Sequence, residues 1–277
     1  MFGWLVLGLG VHYVINMKFK IPFRRKRKSV SVVRLNGMIA TGRGLNDDAL
    51  APVLDKAFGK NPSAVALVIN SPGGSPVQSS LIGARIRRLA DEKKIPVYAF
   101  VEDVAASGGY WLAASADEIY LDQSSVVGSI GVISSGFGLN QLIERYGIER
   151  RVHTAGTSKS MLDPFQPQKK EDVVRLKSLL DEVHQTFKQY IAERRGTKLV
   201  DRDVFTGEIW VGKNAVNDGL ADAIGHLVPM MQEKFGQKVK FNNYGQKKHL
   251  LSRFGMQLFG DLNHGIEERV AFSHFGL

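Results

Sequence analysis

The sequence predicts an α/β domain with a largely parallel sheet. Short apolar runs of strand length alternate with amphipathic stretches of helix length, as in parallel strands joined by helical crossovers. Two of the runs, residues 64–69 and 95–101, are apolar almost throughout rather than alternating, which is typical of strands buried on both faces. The chain of 277 residues, with 44% hydrophobic and 23% charged residues, is globular in composition and long enough to bury a large core.

The first 28 residues combine an apolar segment with a basic one. We expect residues 1–17 to be an uncleaved membrane anchor, because positive charge follows the apolar stretch instead of preceding it as in a signal peptide. A segment lying in the membrane interface is the alternative. Residues 18–28 carry the run RRKRK and are predicted to be a juxtamembrane linker attracted to anionic lipid.

Composition excludes several classes of function. The chain has no cysteine, so disulfides, thiol nucleophiles and thiolate zinc sites are excluded. Much of the formal net charge of +10 is concentrated in the basic linker, and no nucleic-acid-binding signature accompanies it, so we expect no nucleic-acid partner. Neither phosphate-binding glycine motifs nor H-E-x-x-H occurs, so no motif supports a phosphate-binding loop or a metal site.

The globular part is predicted to begin with a β-rich run at residues 29–36. Asn46 is suited to cap a helix that continues to about Phe58, since apolar residues recur there at helical spacing. A buried strand at 64–69 follows and ends in NSPGGS, residues 70–75, which leads into a second helix from about 77 to 92. The two glycines of this turn leave backbone N–H groups open to an incoming oxygen, although a plain turn is the alternative.

The rest of the domain is arranged around DVAASGGY, residues 103–110, directly after the apolar run 95–101. We interpret it as a strand, a tight turn and the start of a helix. A serine at such a junction, Ser107, stands clear of the sheet beside the N–H groups of the new helix, as a nucleophile with an oxyanion pocket requires. Taken alone, the same letters also fit an ordinary turn of small residues.

Further elements follow in order to about residue 226, which closes a predicted domain at 29–226. They are a short helix to about 115, a strand at 118–121, a glycine-punctuated turn at 126–133 that leads into another strand, a helix at 139–146, an extended stretch at 149–154, a loop at 155–167, a long amphipathic helix at 169–195, and a glycine-rich segment at 205–224 interpreted as strand, small helix and return. Residues 227–277 are predicted to form a basic, partly helical extension.

A serine nucleophile needs a base, and the sequence offers His153, Lys159 in the loop at 155–167, or a carboxylate. A lysine serves only if burial lowers its pKa, because the protonated amine cannot accept the serine proton. A histidine near a strand end is more often structural, and His184, in the long helix, is expected at its surface. The residues themselves leave the base open.

Three stretches together resemble the signal peptide peptidase A and SohB family of serine peptidases. They are NSPGGS at 70–75, DVAASGGY at 103–110 continuing to GSIGVI at 128–133, and TAGTSKS at 154–160. The closing segment FTGEIWVGKNAVNDGLAD, residues 205–222, looks similar as well. In order and spacing the resemblance covers about residues 30–225, in the short, single-domain form of the family.

The resemblance implies a ClpP/crotonase-like fold and a serine–lysine dyad, with Ser107 as nucleophile and Lys159 as general base. Gly108 and Gly74, or Gly73 in its place, would supply the oxyanion N–H groups. The resemblance implies no metal or organic cofactor. The family cuts peptide bonds in signal peptides or membrane proteins and forms ring-like homo-oligomers, so Lys159 would serve either its own or a neighbouring subunit.

Membrane topology is one departure from the family pattern. The family's catalytic domain is usually outside the cytoplasm, whereas the basic residues after the anchor favour a cytoplasmic domain, so the sequence leaves the side of the membrane open. Two other functions fit the fold: an acyl-CoA hydratase or isomerase, in which paired amides stabilise a thioester enolate, and an inactive membrane scaffold. Neither gives Ser107 and Lys159 a role.

Overall fold

A computed structural model describes residues 27–42, 44–156, 158–245, 269–273 and 275. The predicted anchor at 1–17 and all but the last two residues of the basic linker at 18–28 lie outside this part, as do residues 246–268 of the predicted extension. None of the helices within the described ranges has the length and apolar character needed to cross a bilayer.

The described chain forms one eight-stranded sheet with helices between the strands. In order, the elements are β1 (Ser29–Asn36), α1 (Asp47–Gly59), β2 (Ala64–Ser71), α2 (Pro76–Lys93), β3 (Val97–Ala106), α3 (Gly108–Ala114), β4 (Glu118–Leu121), β5 (Val126–Gly128), α4 (Asn140–Arg145), α5 (Lys170–Arg195), β6 (Ile209–Val211), α6 (Gly212–Asn217), β7 (Ala223–Ile224), α7 (Leu227–Phe235) and β8 (Lys240–Tyr244). A short 3-10 helix, Gly196–Lys198, follows α5.

The sheet has the strand order β6-β5-β3-β2-β1-β8. Strand β4 branches from β3, and β7 pairs with β4. Every pairing is parallel except that of β5 with β6. The predicted α/β class with a largely parallel sheet is therefore confirmed. The branch forms because the first half of β3 pairs with β4 and its last three residues pair with β5. Residue 107 thus follows the strand at the centre of the sheet.

Local signals explain where the first two helices begin. The Asn46 side chain accepts a hydrogen bond from the Ala49 N–H at 2.9 Å and caps α1, as predicted. Ser75 caps α2 in the same way by accepting from the Gln78 N–H, and Pro76 occupies the first helical position, where its missing N–H costs nothing. The turn at 70–75 therefore ends in a firmly defined helix start.

Alternate residues of the strands face two apolar clusters on opposite sides of the sheet. Val33 and Leu35 of β1 face the larger cluster, which is covered by α1, α2, α3 and α5, while Val30 and Val32 face a smaller one that includes Met231 of α7. Residues 227–244, assigned from sequence to the C-terminal extension, thus cover the second face and add the edge strand β8 beside β1. They pack as part of the same domain.

Residues 149–154, predicted to be extended, form no strand and are mostly exposed. The turn predicted at 126–133 contains the short strand β5, and residues 129–133 after it are irregular instead of leading into a further strand. A strand is stabilised by backbone hydrogen bonds to a neighbour, and no strand of the described chain pairs with either stretch. Sequence propensity alone did not reveal that these partners are missing.

Asp222, in the closing segment, ties the long helix α5 to the sheet. Its carboxylate accepts hydrogen bonds from Arg195 Nη1 at 2.9 Å, Lys198 Nζ at 2.7 Å and the Ile119 N–H at 2.7 Å. Burial alone would raise the pKa of Asp222, but these three donors outweigh it and lower the pKa below its usual value. Arg195 is only 3% exposed, so its charge depends on this carboxylate.

We expect Asp222→Asn to destabilise the domain by about 3 kcal/mol, because it leaves the buried Arg195 guanidinium without its counter-charge. Urea unfolding followed by circular dichroism measures the loss, and Asp201→Asn, at an exposed position, is the matched control. Since the folded-state pKa of Asp222 is lowered, its contribution is present above about pH 3.9 and is lost as pH falls through the folded-state value. Equal stability of the two variants at pH 7 would contradict this role.

Candidate active site

Ser107 occupies the junction between β3 and α3 in a strained backbone conformation. Its φ of 51° and ψ of −121° lie where residues other than glycine are rarely found. The conformation is held on both sides, since the Ser107 N–H donates to the Gly128 carbonyl at 2.8 Å and its carbonyl accepts from Tyr110 and Trp111 at 2.9 and 3.0 Å. The half-buried serine is therefore fixed at the predicted strand-to-helix turn.

The NSPGGS turn lies directly against this junction. A Cβ on Gly73 would stand 2.8 Å from both the Gly108 nitrogen and Ser107 Cβ, and a Cβ on Gly74 would overlap the Ile39 carbonyl oxygen. Both glycines have positive φ, 101° and 138°. Only glycine allows the turn to come so close to the serine in this conformation.

The backbone N–H groups of the two turns differ in whether they already donate a hydrogen bond. The Gly73 N–H donates to Ser71 Oγ at 3.3 Å. Within the described ranges, the N–H groups of Gly74 and Gly108 have no hydrogen-bond partner. Gly108 is the first residue of α3, where a helix leaves its N–H groups unpaired. The site therefore has two available donors, one from each turn.

Ser107, Gly74 and Gly108 all line one open cavity of about 1030 Å³. Its wall combines the two glycine turns with apolar side chains and a few polar ones. The lining includes Met38, Ser79, Trp111, Ser129, Val132, Ile133, Val183, Phe187, Arg202, Thr206, Glu208 and Ile209. A cavity of this size and composition suits a peptide with apolar side chains.

Aromatic stacking builds the apolar side of the cavity. Trp111 of α3 stacks on Tyr190 at 4.4 Å and on Phe187 at 5.0 Å between ring centroids, and both partners belong to α5. Gly83 of α2 lets the indole approach, because a Cβ there would meet Trp111 Cδ1 at 3.1 Å. This side of α5 therefore packs against the helix that follows Ser107, as expected for its apolar stripe.

The candidate bases do not line the cavity. Lys159 and His153 are both exposed, and Lys159 lies in a turn in which its N–H donates to the Gly156 carbonyl at 3.3 Å. His184 was expected at the surface of α5 but is half-buried, with Nε2 2.9 Å from the Ile130 carbonyl oxygen. None of the cavity-lining residues of the described chain is a lysine or a histidine. A single protomer thus brings together Ser107, Gly74 and Gly108 without Lys159.

Sequence reasoning did not single out the other polar residues of the cavity, which are Ser79, Ser129, Arg202, Thr206 and Glu208. Ser129 follows β5 with φ of 51°, and its N–H donates to the Glu208 carbonyl at 2.6 Å. Its place in GSIGVI, one of the stretches that carry the resemblance, was the available signal. Arg202 pairs with Glu208 at 3.4 Å and with Asp218 at 3.1 Å, and no motif marks it. In the described part, no three acidic or histidine side chains cluster as metal ligands would.

Comparison with known families gives a match to the model of peptidase family S49 over residues 90–239, more than half of the chain. The probable protease SohB of Haemophilus influenzae is 32% identical over 199 residues, which are 72% of this chain and 56% of that protein. The chloroplastic serine protease SPPA of Arabidopsis thaliana is 30% identical over 222 residues, or 76% of this chain and 32% of that protein.

A longer protein of Brucella melitensis biotype 1, named Na(+)/H(+) antiporter NhaA, is 45% identical over 286 residues. The match covers 94% of this chain but only 39% of the Brucella protein. The chain thus spans about two fifths of that relative and about half of SohB. The stretch shared with the Brucella protein includes the part that matches the peptidase model, so the antiporter name gives no reason to assign transport to it.

Among solved structures, a serine-to-alanine mutant of the 1510-N membrane-bound stomatin-specific protease matches with a TM-score of 0.50 and 15% identity. The match covers 79% of this chain and 98% of the other. At this identity the likeness shows a shared fold. In this chain, the fold places an open apolar cavity, a strained serine and two unpaired amides side by side.

Proposed function

Because the chain belongs to peptidase family S49, the family of the signal peptide peptidase A and SohB serine peptidases, we propose that it is a serine endopeptidase with Ser107 as nucleophile. One observation carries the proposal: the strained Ser107 lies in an open apolar cavity beside two unpaired amides from separate turns. An acyl-CoA hydratase or isomerase would use the amides but leave the serine and its strained backbone without a role.

The proposed reaction begins when Ser107 Oγ attacks a substrate peptide carbonyl while a base removes its proton. The carbonyl oxygen becomes an oxyanion and accepts hydrogen bonds from the N–H groups of Gly74 and Gly108. Gly73 is the weaker choice because its N–H already donates to Ser71 Oγ. The C–N bond then breaks, the amine leaves with the proton, and water hydrolyses the acyl-enzyme.

We assign the base to Lys159 of a neighbouring subunit in a homo-oligomer. Lys159 is exposed within its own protomer, and the segment before it exposes large apolar side chains: Ile133 is 85% exposed, Phe137 85% and Tyr146 72%. Apolar residues so exposed mark a surface that a partner covers. A second copy docking there would shield its lysine from water, the condition under which a lysine accepts a proton.

Substrates and location follow from the sequence pattern. We propose that residues 1–17 anchor the protein in a membrane, that the basic residues of 18–28 contact anionic lipid, and that the enzyme cuts signal peptides or membrane-associated polypeptides. The apolar wall formed by Trp111, Phe187 and Val183 agrees with such substrates. The proposed chemistry needs only the chain's own groups and water.

Labelling with a serine-acylating fluorophosphonate probe tests the proposal. The full chain in detergent should take up one probe per subunit, mapped by mass spectrometry to Ser107, because only an activated serine reacts readily. Ser134→Ala, at an exposed serine, is the control and should label fully. A folded wild type that remains unlabelled, or is labelled elsewhere, would overturn the assignment and favour the scaffold or acyl-CoA alternative.

Gly74→Ala should lower kcat about 100-fold while changing KM little, since the oxyanion forms only after substrate has bound. The added Cβ overlaps the Ile39 carbonyl and must displace the Gly74 N–H. Gly59→Ala, where a Cβ meets nothing within 4 Å, is the matched control. Steady-state hydrolysis of a leucine-rich peptide measures both constants. A folded Gly74→Ala enzyme with kcat within about threefold of wild type would exclude this amide from the oxyanion pocket.

A further inference from the structure

The end of the described chain lies in the catalytic cavity. Ala271 and Phe275 line the same cavity as Ser107, and both are half-buried. Val270 of the same segment is 53% exposed. Residues 269–273 and 275, here called the C-terminal plug, therefore turn one side toward the cavity and leave another in solvent.

The plug has a conformation that suits occlusion rather than cleavage. Residues 269–273 form a helical turn, in which Ser273 Oγ donates to the Val270 carbonyl at 2.8 Å. The Phe275 N–H donates to the Phe272 carbonyl at 2.9 Å. A peptide that adds to a sheet edge is extended, with its backbone groups free to pair with the protein. The turn has satisfied part of its own backbone instead, so it fills side-chain space without presenting an extended peptide to Ser107.

The chemistry of the plug matches the cavity wall. Ala271 and Phe275 are apolar, like the side chains of Trp111, Phe187 and Val183 that line the same space. Apolar substrate side chains would bury themselves against this wall for the same reason. Plug and substrate therefore compete for one surface.

We propose that the C-terminal plug, residues 269–273 and 275, is an intramolecular competitor, which a peptide substrate must displace to reach Ser107. The inference rests on the proposed peptidase function. Because plug and cavity belong to one chain joined by residues 246–268, the local concentration of the plug is on the order of millimolar. Weak docking is then sufficient to close a large fraction of the sites, and the apparent KM rises in inverse proportion to the open fraction.

Kinetics of full-chain variants test the proposal. Ala271→Asp and Phe275→Asp place a charge against the apolar wall and should each lower KM about threefold or more, with kcat unchanged because saturating substrate already displaces the plug. Val270→Asp adds the same charge on the exposed side of the segment and should leave KM unchanged. An active enzyme in which all four forms share one KM would overturn the plug without touching the peptidase assignment.

A second measurement does not depend on turnover. The natural chain has no cysteine, so Phe275→Cys can be introduced into the Ser107→Ala protein as a unique label site. A leucine-rich peptide at saturating concentration should speed the reaction of the introduced thiol with a maleimide several-fold, because the bound peptide expels the plug. The Val270→Cys control should react at one rate with and without peptide. An unchanged rate for the Phe275→Cys protein would overturn the plug.

Mass spectrometry separates a plug from a substrate. The wild-type chain should keep the residues of the plug after prolonged incubation, since the helical turn at 269–273 offers no extended peptide. Loss of these residues from wild type but not from Ser107→Ala would show that the segment is cleaved, which overturns the plug and supports the peptidase. Absence of hydrolysis and of Ser107 labelling in every form would instead overturn the proposed function.

Discussion

Ser107→Ala is expected to lower kcat/KM for peptide hydrolysis at least about 10⁴-fold, with no measurable loss of stability. The substitution removes only the hydroxyl that we propose as the nucleophile. The backbone hydrogen bonds that hold residue 107, from its N–H to Gly128 and from Tyr110 and Trp111 to its carbonyl, are independent of the side chain. Alanine and serine have the same Cβ, so the cost of φ at 51° is about the same for both.

Hydrolysis of casein and of a fluorogenic leucine-rich peptide, together with urea unfolding, measures both parts of this expectation. Ser134→Ala should retain wild-type values in each assay because residue 134 is an exposed serine outside the cavity lining. If Ser107→Ala kept more than about one per cent of wild-type activity, the nucleophile would have to be another group.

Lys159→Ala should cost between about 100- and 10⁴-fold in kcat, the contribution of a positioned general base. Lys159→Arg should be equally inactive, since a guanidinium stays protonated at every working pH. Lys60→Ala, another exposed lysine, and His153→Ala serve as controls and should remain active. Because Lys159, Lys60 and His153 are all exposed, none of these changes should weaken folding of the protomer.

Mixing two inactive variants tests whether the lysine acts between subunits. In a ring, a site with Ser107 from a Lys159→Ala subunit and Lys159 from a neighbouring Ser107→Ala subunit is complete. Dissociating and reassembling equal amounts should therefore restore about a quarter of wild-type activity, because that fraction of neighbouring pairs is correctly matched in a head-to-tail ring. No recovery from fully mixed oligomers, with wild type recovering under the same treatment, would place the lysine and serine in one subunit.

Much of the fold was predictable because its signals are local. Asn46 indicates a helix cap, the continuous apolar runs indicate strands buried on both faces, and the small residues around Ser107 indicate a strand-to-helix turn. The same applies to Gly73 and Gly74, whose positive φ in a tight turn favours glycine. Each of these features is decided within a few residues of sequence.

Other features depend on contacts between distant parts of the chain. The sequence of β8, KFNNY, has little apolar alternation, and it forms a strand because β1 leaves an edge for it. Residues 149–154 have a strand-like sequence but lack a neighbour. Arg202 lines the cavity and pairs with Asp218, and no motif in the sequence marks Arg202. The proposed pairing of Lys159 with the serine of a neighbouring subunit would depend on a surface that its own protomer leaves exposed.

The pH dependence of kcat/KM for a leucine-rich peptide, measured for the full-length wild type and for Lys159→Ala, tests the serine–lysine mechanism most directly. The mechanism requires a neutral lysine in the free enzyme, so wild-type activity should rise into the alkaline range and the rise should vanish in the variant. Retention of the profile by Lys159→Ala together with its loss in His153→Ala would show a histidine base. A folded, assembled wild type that hydrolyses nothing at any pH would contradict the peptidase function itself.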